Sequence, residues 1–157
     1  MNGARVMLGF GKKTYRAIEE YPDTWGVARG TRGGKPVFVR FRSGLKEAVG
    51  HTSYPFQIGV AVQLAEPTRD GLTTADEAAR LASLEDALDS AFSGNGEAVF
   101  AIAVTTAGVR ELVFYAKEWK PKYFEEKVAR SGAATGYQPQ FIMRADRDWE
   151  TYRAFTG

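Results

Sequence analysis

No cysteine occurs among the 157 residues of this chain. Disulfides, thiolate metal sites and a cysteine nucleophile are excluded together. Histidine is nearly as scarce, since His51 is the only one. A zinc site would have to draw on carboxylates in unusual number, and a Ser-His-Asp triad would have to use this one residue. Neither a metal nor another cofactor is expected. No apolar run approaches the roughly 20 residues that span a bilayer. Met1 to Phe10 holds only the short apolar run Val6 to Phe10, followed by Lys12 and Lys13, and no small-residue cleavage site, which makes a poor secretory signal. A cytoplasmic protein without membrane attachment is the expectation. The chain shows no internal repeat, low-complexity tract or linker.

What is present is ordinary in amount and uneven in place. A hydrophobic share of 44% and a charged share of 25% suit a globular chain. A chain of this length should bury roughly 70% of its unfolded surface. The net charge is only +2, yet residues 1–50 carry a net +6, residues 51–100 a net −6 and residues 101–157 a net +2. Charge sorted in this way gives either a solvated surface organised by element or one basic and one acidic face able to steer a partner.

Hydrophobic periodicity divides the chain into elements. Lys13 to Glu20 fits a short helix stopped at Tyr21-Pro22-Asp23, because proline disfavours helix in the residue before it. Trp25, Val27 and Arg29 alternate with Gly26, Ala28 and Gly30. The glycine-rich turn Thr31 to Lys35 then leads into a second strand, Pro36 to Arg42, and completes a hairpin. Phe56, Ile58, Val60, Val62 and Leu64 make the clearest period-two strand. Thr74 and Glu77 form a capping box before a helix whose stripe is Ala78, Leu81, Leu84, Leu88 and Phe92, closed by Gly94. Val99 to Thr105 reads as an interior strand, and Arg110 to Ala116 follows it after Gly108. Pro121 opens a second helix, which Gly132 ends. Pro139 to Arg144 is the last strand, and Asp146 caps a terminal helix in which Trp149, Tyr152 and Phe155 should dock on the body. From Phe56 to Arg144 the order is βαββαβ. The expected fold is α+β: a ferredoxin-like antiparallel sheet with two helices on one face, plus an N-terminal hairpin and a C-terminal helix. Residues 1–22 are a segment of uncertain structure, and residues 23–157 are expected to form one domain.

Several short runs fall in a familiar order. They are the Trp25 strand, Gly34-Lys35-Pro36, Tyr54-Pro55, Asp70-Gly71-Leu72, Leu84-Glu85-Asp86, Gly108-Val109-Arg110-Glu111 through Phe114-Tyr115, and Asp148-Trp149-x-x-Tyr152. Together they resemble the bacterial "domain of unknown function 695" family over about residues 23–157. The family brings no established activity. Its closing signature, here Asp148, Trp149 and Tyr152, and its fold are similar to the regulator of ribonuclease activity B, a ferredoxin-like protein that binds and inhibits an RNA-degrading enzyme.

Gly9-Phe10-Gly11-Lys12-Lys13-Thr14 fails as a phosphate loop, because Val6 stands where the first glycine belongs and Lys13 where Ser or Thr belongs. His51 falls in the predicted loop Gly50 to Ser53 and is expected to face solvent. Glu85 and Asp86 diverge by about 100° on a helix, so they form no dyad. Glu85 and Asp89 share a face, where two carboxylates could bind a cation, with a hydrated helix surface as the commoner outcome. Arg29, Arg40 and Arg42 are the candidate anion-binding group, with ion pairing or edge-strand protection as the plainer explanation. The sheet face opposite the helices should carry Gln57, Gly59, Ala61, Gln63, Ala101, Ala103, Glu111, Val113, Tyr115, Gln138, Gln140 and Ile142. That mixture is too polar for a core and too apolar for bare surface, so the hairpin, a second subunit or a ligand should cover it. Gln57, Gln63, Glu111, Tyr115 and Gln140 mark the candidate site on this face. RNA recognition by stacking is not expected, because Tyr115 is the only aromatic there.

No catalytic constellation stands out. A non-enzymatic module that binds or regulates another protein is the leading expectation, with a homodimer through the sheet as a further arrangement. The alternative is a small-molecule-binding protein or weak hydrolase on the open sheet face, using Arg29, Arg40, Arg42 and Glu111.

Overall fold

The computed structural model describes residues 13–156. Most of the glycine- and lysine-containing run compared with a phosphate loop lies outside the described residues. The strands are β1 (Trp25–Arg32), β2 (Lys35–Arg42), β3 (Phe56–Gln63), β4 (Ala98–Thr106), β5 (Val109–Ala116) and β6 (Gln140–Ala145). The helices are α1 (Ala75–Ser93), α2 (Pro121–Thr135) and α3 (Glu150–Thr156). All six strands form one antiparallel sheet in the order β1-β2-β4-β5-β3-β6. The β1–β2 turn is only Gly33-Gly34, with φ of 58° and 80°. Two successive positive φ angles define the tight hairpin turn whose twist matches the strands, and glycine adopts them without strain. The hairpin extends the sheet beside β4 and so does not cover its open face, because Val37 to Phe41 pair with Ile102 to Thr106.

The sheet is buried on both sides. On one side Ile58, Val60, Val62, Leu112 and Phe114 meet Leu81, Leu84, Leu88 and Phe92 of α1 and Phe124 and Val128 of α2. On the other side Val37, Val39, Ala101, Ile102, Val113 and Tyr115 meet Ile18, Tyr21, Leu45, Ala48, Tyr54, Trp149 and Tyr152. A bulge between Phe100 and Ile102 shifts the alternation of β4 by one residue. Ala103 therefore packs on the α1 side and not on the opposite face to which strict alternation assigned it.

One helix and two helix ends differ from the sequence expectation. In place of a helix over Lys13 to Glu20 there is one 3-10 turn, Ile18–Glu20. Backbone groups before it are bonded to side chains: the Arg16 N–H donates to the Tyr21 hydroxyl at 3.1 Å, and the Arg16 carbonyl pairs with the distant His51 Nε2 at 2.7 Å. Gly94 stays helical with φ −53°, and the left-handed turn falls on Gly96 at φ 70°. Gly132 lies inside α2, which runs on to Thr135 and is capped by Gly136 at φ 82°. A Cβ at Gly132 would stand 2.4 Å from the Pro139 ring, so close packing explains this glycine.

The capping box at α1 is half formed. Thr74 Oγ1 accepts from the Glu77 N–H at 3.2 Å, but the Glu77 carboxylate turns inward. There it accepts from the backbone N–H groups of Ala65 and Glu66 and from the Tyr137 hydroxyl. Burial acts to raise the Glu77 carboxyl, yet the two backbone N–H bonds, the Tyr137 bond and the nearby Arg80 charge together hold it below its ordinary value. A depressed carboxyl stabilises the fold above the ordinary glutamate pKa of about 4.3, and that contribution is lost as pH falls through the lower folded value. Glu77→Gln offers one acceptor oxygen to three donors and should cost about 1–3 kcal/mol at neutral pH. Urea unfolding at a series of pH values should show the gap between wild type and E77Q closing toward strong acid. A constant gap would mean that the charge contributes nothing.

Candidate functional site

The three candidate arginines lie on one face of the hairpin but hold different partners. Arg40 is ion-paired with Glu85 and stacks over Trp25, its guanidinium 4.8 Å from the ring. Arg42 donates to the carbonyls of Tyr21 at 2.9 Å and Pro22 at 3.1 Å. Arg29 stands over the Phe38 ring at 5.0 Å and is exposed. Glu85 is not on a hydrated surface. It is buried and takes a second bond from Arg110 Nη1 at 2.8 Å, while Arg110 Nε donates to Thr105 Oγ1 at 2.9 Å. A sequence signal existed for this cluster. Glu85 stands at stripe spacing, four residues after Leu81 and three before Leu88, and Arg110 lies in a strand that becomes apolar from Leu112 onward.

The expected open face divides in two. Tyr115 and Gln57 are buried, covered by the chain's own C-terminal segment, so these two are not open to a ligand. Trp149 stacks on Tyr115 with ring centroids 4.2 Å apart and planes 6° from parallel. The Tyr115 hydroxyl donates to Asp146 at 2.8 Å, and burial followed by this bond pushes the phenol well above its ordinary value. Asp146 also accepts from the Glu150 N–H at the start of α3. Tyr152 donates to the Arg42 carbonyl at 2.6 Å, and burial raises its hydroxyl to about 12. Trp149 and Tyr152 of the signature are thus buried packing residues, whereas Asp148 is exposed. Gln63, Glu111 and Gln140 remain exposed at the other end of the face. Ile142 lies there too, 59% exposed and over Gly59.

His51 is buried rather than solvent-facing. Its Nδ1 accepts from the Ser53 N–H at 3.2 Å, which leaves Nε2–H to donate to the Arg16 carbonyl. Tyr15, Tyr21 and Tyr54 surround the ring. Both ring nitrogens are satisfied within the fold. Among the described residues no group of three or more His, Asp or Glu stands where it would hold a metal ion. No helix among them is long and apolar enough to cross a membrane.

Two concavities border the hairpin. A groove of about 560 Å³ at the foot of the sheet is lined by Trp25, Phe100, Arg42, Lys117, Asp23 and Asp89 among others. Its polar groups bond largely to one another or to the backbone, as Trp25 Nε1 does to Asp23 at 2.8 Å and Ser93 to Asp89 at 2.6 Å. The second is a pocket of about 260 Å³ beside β1, formed by Ala28, Gly30, Val37, Val39, Ala154 and Phe155 with Arg29, Thr31 and Arg32 at its rim. Arg32 stands 5.5 Å from the Phe155 ring.

β1 itself is an edge strand, and no strand among the described residues pairs along its outer margin. Val27 is 60% exposed and the run Arg29 to Arg32 is exposed throughout. Sequence reasoning placed Arg29 here but missed the pocket, although the small residues Gly26, Ala28 and Gly30 at alternate positions were its visible sign.

A sheet largely buried on both sides, carrying a basic two-stranded extension, defines an α+β protein with one edge on the hairpin strand β1 and the other on β6. The sequence pattern of the family of unknown function DUF695 matches residues 23–156, and the chain belongs to that family. No curated protein and no solved structure matches it significantly.

Proposed function

We propose that this chain is a non-enzymatic protein-binding module that meets its partner with the β1–β2 hairpin. The observation that carries the reading is the exposed outer strand β1, in a hairpin (residues 25–42) with five basic residues and no acidic one. Side chains suited to acid–base chemistry are engaged inside the fold, as the bonds of Glu77, Glu85, His51 and Asp146 illustrate. The neighbour order β4-β5-β3-β6, with α1 and α2 on one side, supports reading these four strands as a ferredoxin-like unit. We take residues 23–157 as one domain. That scaffold serves many functions, so the reading rests on the hairpin and not on the fold.

A photo-crosslinking residue at Thr31, with a control at the exposed Glu125 of α2, tests it in lysate of the source cells. A discrete protein adduct formed only from position 31, and lost when Arg29→Glu is added, is the expected result. Equal adducts from both positions, or none from position 31, would overturn the reading.

A further inference from the structure

We infer that the β1 margin takes up an extended segment of another protein as an added strand, one in which bulky apolar residues alternate with acidic residues. This rests on the protein-binding reading above and adds its mode and the chemistry of the partner. Three independent features converge on it.

The first is backbone geometry. A two-residue turn closes on the pair Arg32↔Lys35, which exchanges hydrogen bonds. In an antiparallel ladder bonded and non-bonded pairs alternate. Counting back in twos, Thr31, Arg29 and Val27 direct their N–H and C=O groups away from β2, toward the free margin. These three residues form one side of a ladder awaiting a partner.

The second is shape. Side chains of an added strand would alternate between the two faces of the sheet. On the α3 face they would lie beside Gly26, Ala28 and Gly30, next to the 260 Å³ pocket whose far wall is Phe155. A Cβ built on Gly30 meets nothing within 4 Å, so that position has empty space over it. A bulky apolar side chain opposite these small residues fills it, as aromatic partners do for edge glycines.

The third is charge. On the α1 face the added strand would lie beside Val27, Arg29 and Thr31, and near the turn it would pass Arg32, which stands on the α3 face over Phe155. With no acid in the hairpin, carboxylates on the incoming segment are the complement. The same fact disfavours a second copy of the chain, since pairing β1 with β1 would gather arginines from both copies along one margin with no carboxylate in either strand.

The probe is a fluorescein-labelled peptide of about eight residues, an ordinary strand length, alternating leucine and glutamate. Saturable binding is expected. It should weaken about tenfold or more, the equivalent of one lost anchoring contact, with Gly30→Leu, which fills the pocket, and with R29E. A peptide of the same composition with N-methyl groups on alternate residues should not bind, because it cannot complete the ladder. In amide exchange, Val27, Arg29 and Thr31 should gain protection on binding, and the inward-facing Ala28 and Gly30 should not. Binding that survives N-methylation, or protection without this alternation, would reduce the interaction to charge attraction and overturn strand addition. A dimer of the free protein that Gly30→Leu dissociates would assign the margin to a second copy and overturn it as well. A partner crosslinked at position 31 with the outward amides unprotected keeps the protein-binding reading and overturns only strand addition. No crosslink and no peptide binding overturns both.

Discussion

Trp149→Ala should lose about 3–5 kcal/mol of stability, the range for truncating a large buried aromatic. Trp149 is fully buried and stacks flat on Tyr115. Its indole N–H donates to the Tyr54 carbonyl at 2.9 Å, joining the C-terminus to the loop before β3. Truncation leaves a cavity and an unbonded buried carbonyl in one step. It also loosens the Tyr115–Asp146 bond that anchors the start of α3. Trp149→Phe separates these effects: it keeps an apolar ring but deletes the N–H, and it should cost about 1–3 kcal/mol. For a chain of this length, W149A should lower Tm by roughly 6–20 °C. Denaturant and thermal unfolding of both variants check this. A loss below about 1 kcal/mol for W149A, the level of an ordinary surface change, would show that the C-terminal segment does not hold the second face of the sheet. The consequence reaches the hairpin, because Phe155 of α3 walls the pocket beside Gly30.

Much of this architecture was legible in the sequence, and the misses share a cause. β3 could be read because Phe56 to Leu64 alternate without interruption, so only one register buries the apolar set. Trp149, Tyr152 and Phe155 could be read as docking residues from their spacing, but nothing local says which surface they meet. That surface is Tyr115, which alternation alone places on an open face. Ala103 was misassigned because a single inserted residue in β4 inverts every side chain after it, and a bulge in an apolar run leaves no mark in a period-two pattern. His51 looked solvent-facing because loops usually are. Its burial comes from Tyr15 and Tyr21, more than 25 residues earlier in the chain, which the sequence does not bring together. Gly132 reads as a helix end because that is glycine's commonest role there, whereas its neighbour across space is Pro139. Arg40 could be suspected of ion pairing, but its partner could not be named without the crossing angle of α1 over the sheet.

That partner sets the second large effect. Glu85→Leu should destabilise the protein by about 3–5 kcal/mol, and Arg110→Met added to it should recover most of the loss. Glu85 and Arg110 have side chains only 8% and 11% exposed, so removing the carboxylate strands a guanidinium that water reaches poorly. An unpaired buried charge costs more than the pair contributes, and apolar residues of similar volume at both positions avoid that cost. Arg40 is different. Its side chain is 32% exposed and has Trp25 and Phe100 as aromatic partners, so Arg40→Met alone should cost about 1 kcal/mol or less. The contrast between the single and double variants is the discriminating measurement, read by urea unfolding at neutral pH. Should E85L/R110M prove no more stable than E85L, the loss would come from packing around α1 and not from the stranded charge. The cluster also has a place in the binding reading. Glu85 of α1 holds β5 through Arg110 and the hairpin through Arg40, so one carboxylate fixes the basic extension to the helical body. E85L should therefore raise amide exchange in β1 and β2 more than in β3, and restoring the core with R110M should not restore the hairpin's anchorage, because Arg40 still lacks its acid.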